Sequence, residues 1–149
     1  MLVTVDTNVF VYAFDNRDPV KQATANWLIP HLLDLGALVG VQVLGELFCV
    51  LSSKLKMPRA LAVGYVDNIG RTWPVFASDR ASTLRALSLA ASGRFSFWDA
   101  NLVSAAESVG CTYFLTEDMA DGARIGDLEL VNPFGPDGPT PRVREILSL

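Results

Sequence analysis

The apolar positions of this chain alternate between short continuous runs and stretches with helical spacing. Leu2 to Val5 form a first apolar run, which breaks at Asp6, Thr7 and Asn8 and resumes in "NVFVYAF". The run reads as a buried strand and the segment after it as a helical turn. Asp18 followed by Pro19 signals a helix start, and Ala23, Trp27, Leu28, Leu32 and Leu35 recur at helical spacing up to Gly36. "ALVGV" is a second strand. In "QVLGELFCVLSSKLKM" the residues Val43, Leu44, Leu47, Val50, Leu51 and Leu55 make one apolar stripe, which Pro58 stops before "PRALAVGYVDNIG" restarts a helix. "WPVFA" is a third strand. Ser78 or Asp79 caps "RASTLRALSLAAS", ended by Gly93, and Ser96 caps "FWDANLVSAAESVG", ended by Gly110. "CTYFL" and "LELVNPF" complete the set as fourth and fifth strands.

Strands that alternate with helices throughout predict an α/β fold, an open, mostly parallel sheet of about five strands with helices on both faces. Before "GPDGPTP" no repeat or low-complexity segment interrupts the pattern. That stretch reads as a stiff, extended linker, so the expected organisation is a domain over 1–135, then a Pro/Gly linker and short C-terminal segment over 136–149.

Composition narrows the class. At 149 residues the chain suits one domain, and with 50% hydrophobic and 19% charged residues it has the make-up of a compact globule. No apolar run approaches ~18 residues and no signal-peptide pattern opens the chain, so a cytoplasmic protein without a membrane span is expected. Cys49 and Cys111 lack the paired spacing of a zinc site or a disulfide framework and are expected as small buried hydrophobes. The net charge of −4 disfavours a generic polyanion binder, but the charge is segregated. Residues 1–51 carry five acids and two bases, residues 52–94 two acids and seven bases, and residues 95–149 nine acids and three bases. A basic rim beside an acidic pocket would produce that pattern, as would an ordinary solvated surface.

In an open α/β sheet, ligands bind beyond the carboxyl ends of the strands, where the strand order reverses. Asp6 and Asp118 both follow apolar strands, while Glu46 and Asp99 fall on helices able to lean over the same crevice. Each acid also has a plain role open to it: Asp99 serving the helix dipole, Glu46 facing solvent, Asp118 making a turn. Glu117, Asp121 and Asp127 read as loop charges, with Asp121 able to reach the site through water. Convergent carboxylates raise one another's pKa and call for a cation, and an all-oxygen set without histidine or thiolate favours magnesium or manganese. The sole histidine, His31, lies on an amphipathic helix as a surface or boundary residue, which excludes two-histidine ribonuclease chemistry. No phosphate-binding glycine loop and no G-x-S-x-G elbow is present.

Five segments in order, "VDTNVF", "VQVLGELFCVL", "SFWDANLVSAA", "YFLTEDM" and "LELVNPF", together resemble a PIN domain of the VapC toxin type across nearly the whole chain. The resemblance implies an endoribonuclease dependent on Mg²⁺ or Mn²⁺ that hydrolyses RNA phosphodiesters with metal-activated water. It assigns Asp6, Glu46, Asp99 and Asp118 as catalytic and metal-binding acids, with Thr7, Asn8 and Thr116 orienting them. It further implies a homodimer and a cognate antitoxin, which would bind between the helical stretches 18–36 and 42–57. Lys54, Lys56, Arg59, Arg80, Arg85 and Arg94 are the candidate contacts for the RNA backbone. Gly40 departs from the resemblance, standing where relatives more often have serine, and the tail beyond "NPF" is longer than usual. The alternatives are a noncatalytic RNA- or protein-binding module on the same fold and a haloacid-dehalogenase-like phosphohydrolase. The latter needs a second acid where this chain has Asn8.

Overall fold

A computed structural model describes residues 1–149. The strands are β1 (Val3–Val5), β2 (Leu38–Gly40), β3 (Val75–Phe76), β4 (Tyr113–Leu115), β5 (Arg124–Ile125) and β6 (Leu128–Val131), and they form one sheet in the order β3-β2-β1-β4-β6-β5. Five are parallel neighbours, and β5 adds an antiparallel edge of two residues against β6. The sheet is therefore mostly parallel, as the alternating pattern predicted, with one strand more than expected. β5 escaped the sequence reading because two residues are too few to show a period. Val3, Val5, Val39, Phe114, Leu115, Leu130 and Val131 are buried, the near-continuous apolar strands that a sheet covered on both faces requires.

Helices fill the connections: α1 (Thr7–Tyr12), α2 (Pro19–Leu35), α3 (Val41–Cys49), α4 (Arg59–Thr72), α5 (Arg80–Ala91) and α6 (Phe97–Ser108). Local chemistry sets their ends. The Asp18 carboxylate accepts the Lys21 N–H at 3.0 Å ahead of Pro19, and Gly36 closes α2 with a left-handed φ of 75°. Asp79 and Ser82 form a reciprocal capping box on α5. The helix expected over 42–57 is broken: α3 passes at Val50 into a π-helical turn, Val50–Lys54, where the Ser52 and Ser53 hydroxyls turn back to backbone carbonyls. α1 packs against both α2 and α3, α3 against α4, and α5 against α6.

Two further expectations are corrected. The stretch read as a linker is a β-hairpin, β7 (Phe134–Gly135) paired with β8 (Gly138–Pro139), which packs against α2. It leads into α7 (Pro141–Ile146), whose Val143 and Ile146 are buried in the same core as β1 and β4. The core takes in the tail because its apolar residues have nowhere else to hide. Cys111 is buried as expected, but Cys49 is exposed at the end of α3.

Candidate active site

The chain runs from β1 to β2 and β3 on one side and returns through β4 on the other, so the order reverses between β1 and β4. Asp6 leaves the first of these strands with its N–H on the Leu115 carbonyl at 2.9 Å, and Thr116 leaves the second with its N–H on the Val131 carbonyl at 3.0 Å. Two neighbouring strand ends thus deliver polar side chains to one crevice, where an open sheet places its ligands.

Asp6 is only 7% exposed and is held from three sides. The Thr7 N–H donates to Oδ1 at 2.7 Å, the Thr116 hydroxyl to Oδ2 at 2.7 Å and the Asn8 amide to Oδ2 at 3.3 Å. Burial pushes its carboxyl pKa up to about 6; the Thr116 and Thr7 bonds pull it back, and the charges of Asp118 and Asp99 push it further. The Asn8 amide also donates to Asp118 Oδ2 at 3.1 Å, bridging two carboxylates across the switch point, and the Asp118 N–H donates to Thr116 Oγ1 at 3.2 Å. Asn8 Oδ1 is buried without a partner, an orphaned acceptor beside the acids.

Glu46, half-buried on α3, accepts the Thr7 hydroxyl at 2.8 Å and the Gln42 amide at 2.7 Å, so both its oxygens are fixed. Asp99 sits in the first turn of α6, where its N–H donates to the capping Ser96 hydroxyl at 3.1 Å. Its pKa is raised, first by burial and then by Asp118 and Glu46, against the pull of Ser96. All four acids line one cavity of about 480 Å³. As the side chains stand, no three of the chain's His, Cys, Asp or Glu residues are gathered tightly enough to enclose an ion. The acids ring the cavity and feel one another's charge without closing on a point.

Of the six basic residues singled out in the sequence, the structure brings Lys54 to the cavity wall. Lys56, Arg59 and Arg80 are exposed outside it, Arg94 lies 5.4 Å from the Phe95 ring, and Arg85 is paired with Glu107 across α5 and α6. Asp121 also stands apart, accepting the Asn132 N–H at 2.8 Å. Glu117 is no solvated loop charge: it accepts the Tyr12 hydroxyl and pairs with Lys21, tying the β4–β5 loop to α1 and α2. Tyr12, Cys49 and the Asp15–Arg17 ion pair also line the cavity. Sequence reasoning missed these, and it missed Gln42, whose signal was the four-residue spacing to Glu46 on one helix face. His31 is half-buried, its Nδ1 2.7 Å from the Trp27 carbonyl.

The fold and the site together define an α/β protein with an acid-lined cavity at the strand-order switch of a parallel sheet. The PIN domain description matches residues 3–120, and the chain belongs to that family. Solved structures share its fold. The sarcin–ricin-loop-cleaving toxin VapC20 of Mycobacterium tuberculosis aligns with a TM-score of 0.60 at 17% identity, over 80% of this chain and 90% of that one. VapBC2 of Rickettsia felis, bound to a promoter DNA fragment, aligns at 0.63 with 19% identity over 89% and 98%. DNA-bound VapBC of Salmonella typhimurium aligns at 0.62 with 18% identity over 87% and 97%. Among curated proteins none matches significantly.

Proposed function

We propose that this PIN domain is a divalent-metal-dependent endoribonuclease, the toxin of a toxin–antitoxin pair. The observation that carries the proposal is the electrostatic state of the cavity. A buried aspartate is raised to about 6 with two further carboxylates acting on it, an arrangement that costs stability unless a cation is present. The donor set fits a hard ion: the four carboxylates and the orphaned Asn8 Oδ1 are all oxygen, no imidazole lines the cavity, and the Cys49 thiol on its wall is the sole softer group beside them. Asp6, Glu46, Asp99 and Asp118 would hold it, with water filling the remaining positions as magnesium ordinarily requires. When bound, such an ion polarises a phosphodiester and lowers the pKa of water towards neutrality.

The chain's own residues supply orientation. Thr116 and Thr7 fix the Asp6 oxygens, Thr7 and Gln42 fix those of Glu46, and Asn8 sets the separation of Asp6 from Asp118. Thr7 therefore couples two acids, its N–H on one and its hydroxyl on the other. Lys54, on the cavity wall, would meet an RNA phosphate entering the cavity. The presence of all four acids on one cavity supports a catalytic reading over a noncatalytic module.

Several of the similar structures are toxin–antitoxin complexes, which supports an antitoxin as partner; a homodimer as the working form belongs to the proposal and rests on the family resemblance alone. The helices expected to receive an antitoxin leave Val20, Leu33, Leu35 and Val41 exposed, apolar anchors for an amphipathic helix. The deciding experiment is cleavage of a structured RNA in Mg²⁺ or Mn²⁺ by wild type and Asp6→Asn. The substitution keeps the side chain's size but removes its charge, and activity is expected to fall by a factor on the order of 10² or more. Undiminished cleavage by a folded Asp6→Asn protein would refute the assignment.

A further inference from the structure

Next to the acidic cavity lies a second hollow of about 270 Å³, lined by apolar Phe76, Leu102 and Ala105 and by polar Gln42, Ser78 and Asn101. Gln42 joins the two. Its amide donates to Glu46 on the acidic side and to the Trp98 carbonyl at 3.0 Å, and its Oε1 accepts the Asn101 amide at 3.0 Å. Trp98, immediately before Asp99, borders this hollow and is 62% exposed, its ring meeting Phe97 edge-on at 5.1 Å.

Resting on the nuclease reading above, we propose that this hollow is a subsite for one unpaired nucleobase of the RNA substrate, next to the bond that is cut. Trp98 supplies the stacking face, and Ser78 and Asn101 read the base edge. Three features point to a base and not to another ligand. The volume is below the range usual for drug-sized ligands and suits a single planar ring. A large indole left in solvent beside a phosphodiester-cleaving cavity is the platform on which single-stranded RNA stacks, independent of sequence. The polar groups offer a free donor beside an under-used acceptor: no acceptor takes the Ser78 hydroxyl hydrogen, and Asn101 Oδ1 receives only a long 3.4 Å contact from Thr83. A base edge presents the complementary pair.

Gly40 lets the apolar wall pack directly on the backbone: a Cβ there would stand 2.5 Å from Leu102 Cδ1 and 3.3 Å from Phe76 Cζ, so a side chain at this position would push Leu102 and Phe76 out of their places and reshape the hollow. Duplex RNA cannot use such a site, since its bases are stacked and paired.

The test is fluorescence anisotropy of a labelled single-stranded oligoribonucleotide with the full-length protein, Ca²⁺ replacing Mg²⁺. Trp98→Ala is expected to weaken binding about 10-fold or more, and Trp98→Phe to recover most of the loss. In a series with one abasic residue stepped along the strand, one position should reproduce the loss and should cost nothing further in Trp98→Ala. Unchanged affinity in Trp98→Ala would overturn the proposal. So would losses that add at every abasic position, equal competition by duplex RNA, or a wild-type protein that binds no single-stranded RNA. The exposed position of Trp98 leaves the core intact, and circular dichroism of both variants checks this. The nuclease reading stands or falls separately on Asp6→Asn cleavage: a failed subsite with cleavage lost in Asp6→Asn leaves the nuclease in place, and the converse leaves the subsite.

Discussion

Asp6 is under opposed demands. Its position as the cap of α1 and its hydrogen bonds favour the charged form, while burial and two neighbouring acids favour the proton, and burial wins by raising the pKa from 3.8 to about 6. A raised carboxyl stabilises the metal-free fold fully below its unfolded value, and that contribution is lost as pH rises through the folded value. The unfolding free energy of Asp6→Asn minus that of wild type should therefore grow between about pH 4 and pH 6 and level off above, reaching on the order of 2–3 kcal/mol less whatever the lost acceptor bonds cost. Denaturant titrations in a chelator across that range measure it. A difference that stays flat with pH would mean that Asp6 is not desolvated as the structure has it. The aspartate after the first strand was legible in the sequence because it interrupts an apolar run where a turn needed no acid. Its Thr116 partner, 110 positions away, was placed from the sequence only through a family resemblance, since no local period links two strand ends.

At the scale of elements, the same physics explains both the accurate readings and the failures. Helices with their own start and stop signals, such as α2 between Asp18 and Gly36 and α6 after Ser96, were read to within a residue or two because the capping side chains are local. The end of α3 was not, because the apolar stripe continues through Leu51 and Leu55 while the hydrogen-bond ladder slips into a π turn at Val50. Periodicity reports which face is buried and says nothing of which carbonyl each N–H finds. The hairpin and α7 were missed for the opposite reason: their glycines and prolines look like linker, and only the packing of Val143 and Ile146 into the core reveals an ordered element. Val143 is fully buried, so Val143→Ala should destabilise the whole domain by about 2 kcal/mol, from lost burial and the cavity left behind. Thermal or urea unfolding checks this. A linker residue would leave both transitions unmoved.

For the whole molecule, charge distribution and metal binding are one problem. The acids of the first and last thirds of the chain meet in one cavity while most of the basic middle stays outside it, so the metal-free protein carries a repulsion that a divalent ion should relieve. Mn²⁺ or Mg²⁺ should raise the melting temperature by mass action, with a stabilisation near 2.7 kcal/mol at about 100 times the dissociation constant. The rise should shrink below about pH 6, where a proton on Asp6 competes with the ion. Calorimetry across millimolar Mn²⁺ at two pH values tests both, and a melting temperature indifferent to the ion would exclude the site. The sequence by itself determined the α/β class and the strand–helix alternation, because burial periods and caps are written within a few residues of one another; it offered the four acids as candidates, which a family resemblance joined into one set. Only the tertiary structure decided which acids share a cavity, which of the basic residues reach it, that Glu117 is tied to Tyr12 and Lys21, and that a second hollow opens beside Trp98. Those contacts join segments tens of residues apart, and their partners are selected by how the sheet orders its strands and the helices pack upon it, which no local pattern encodes.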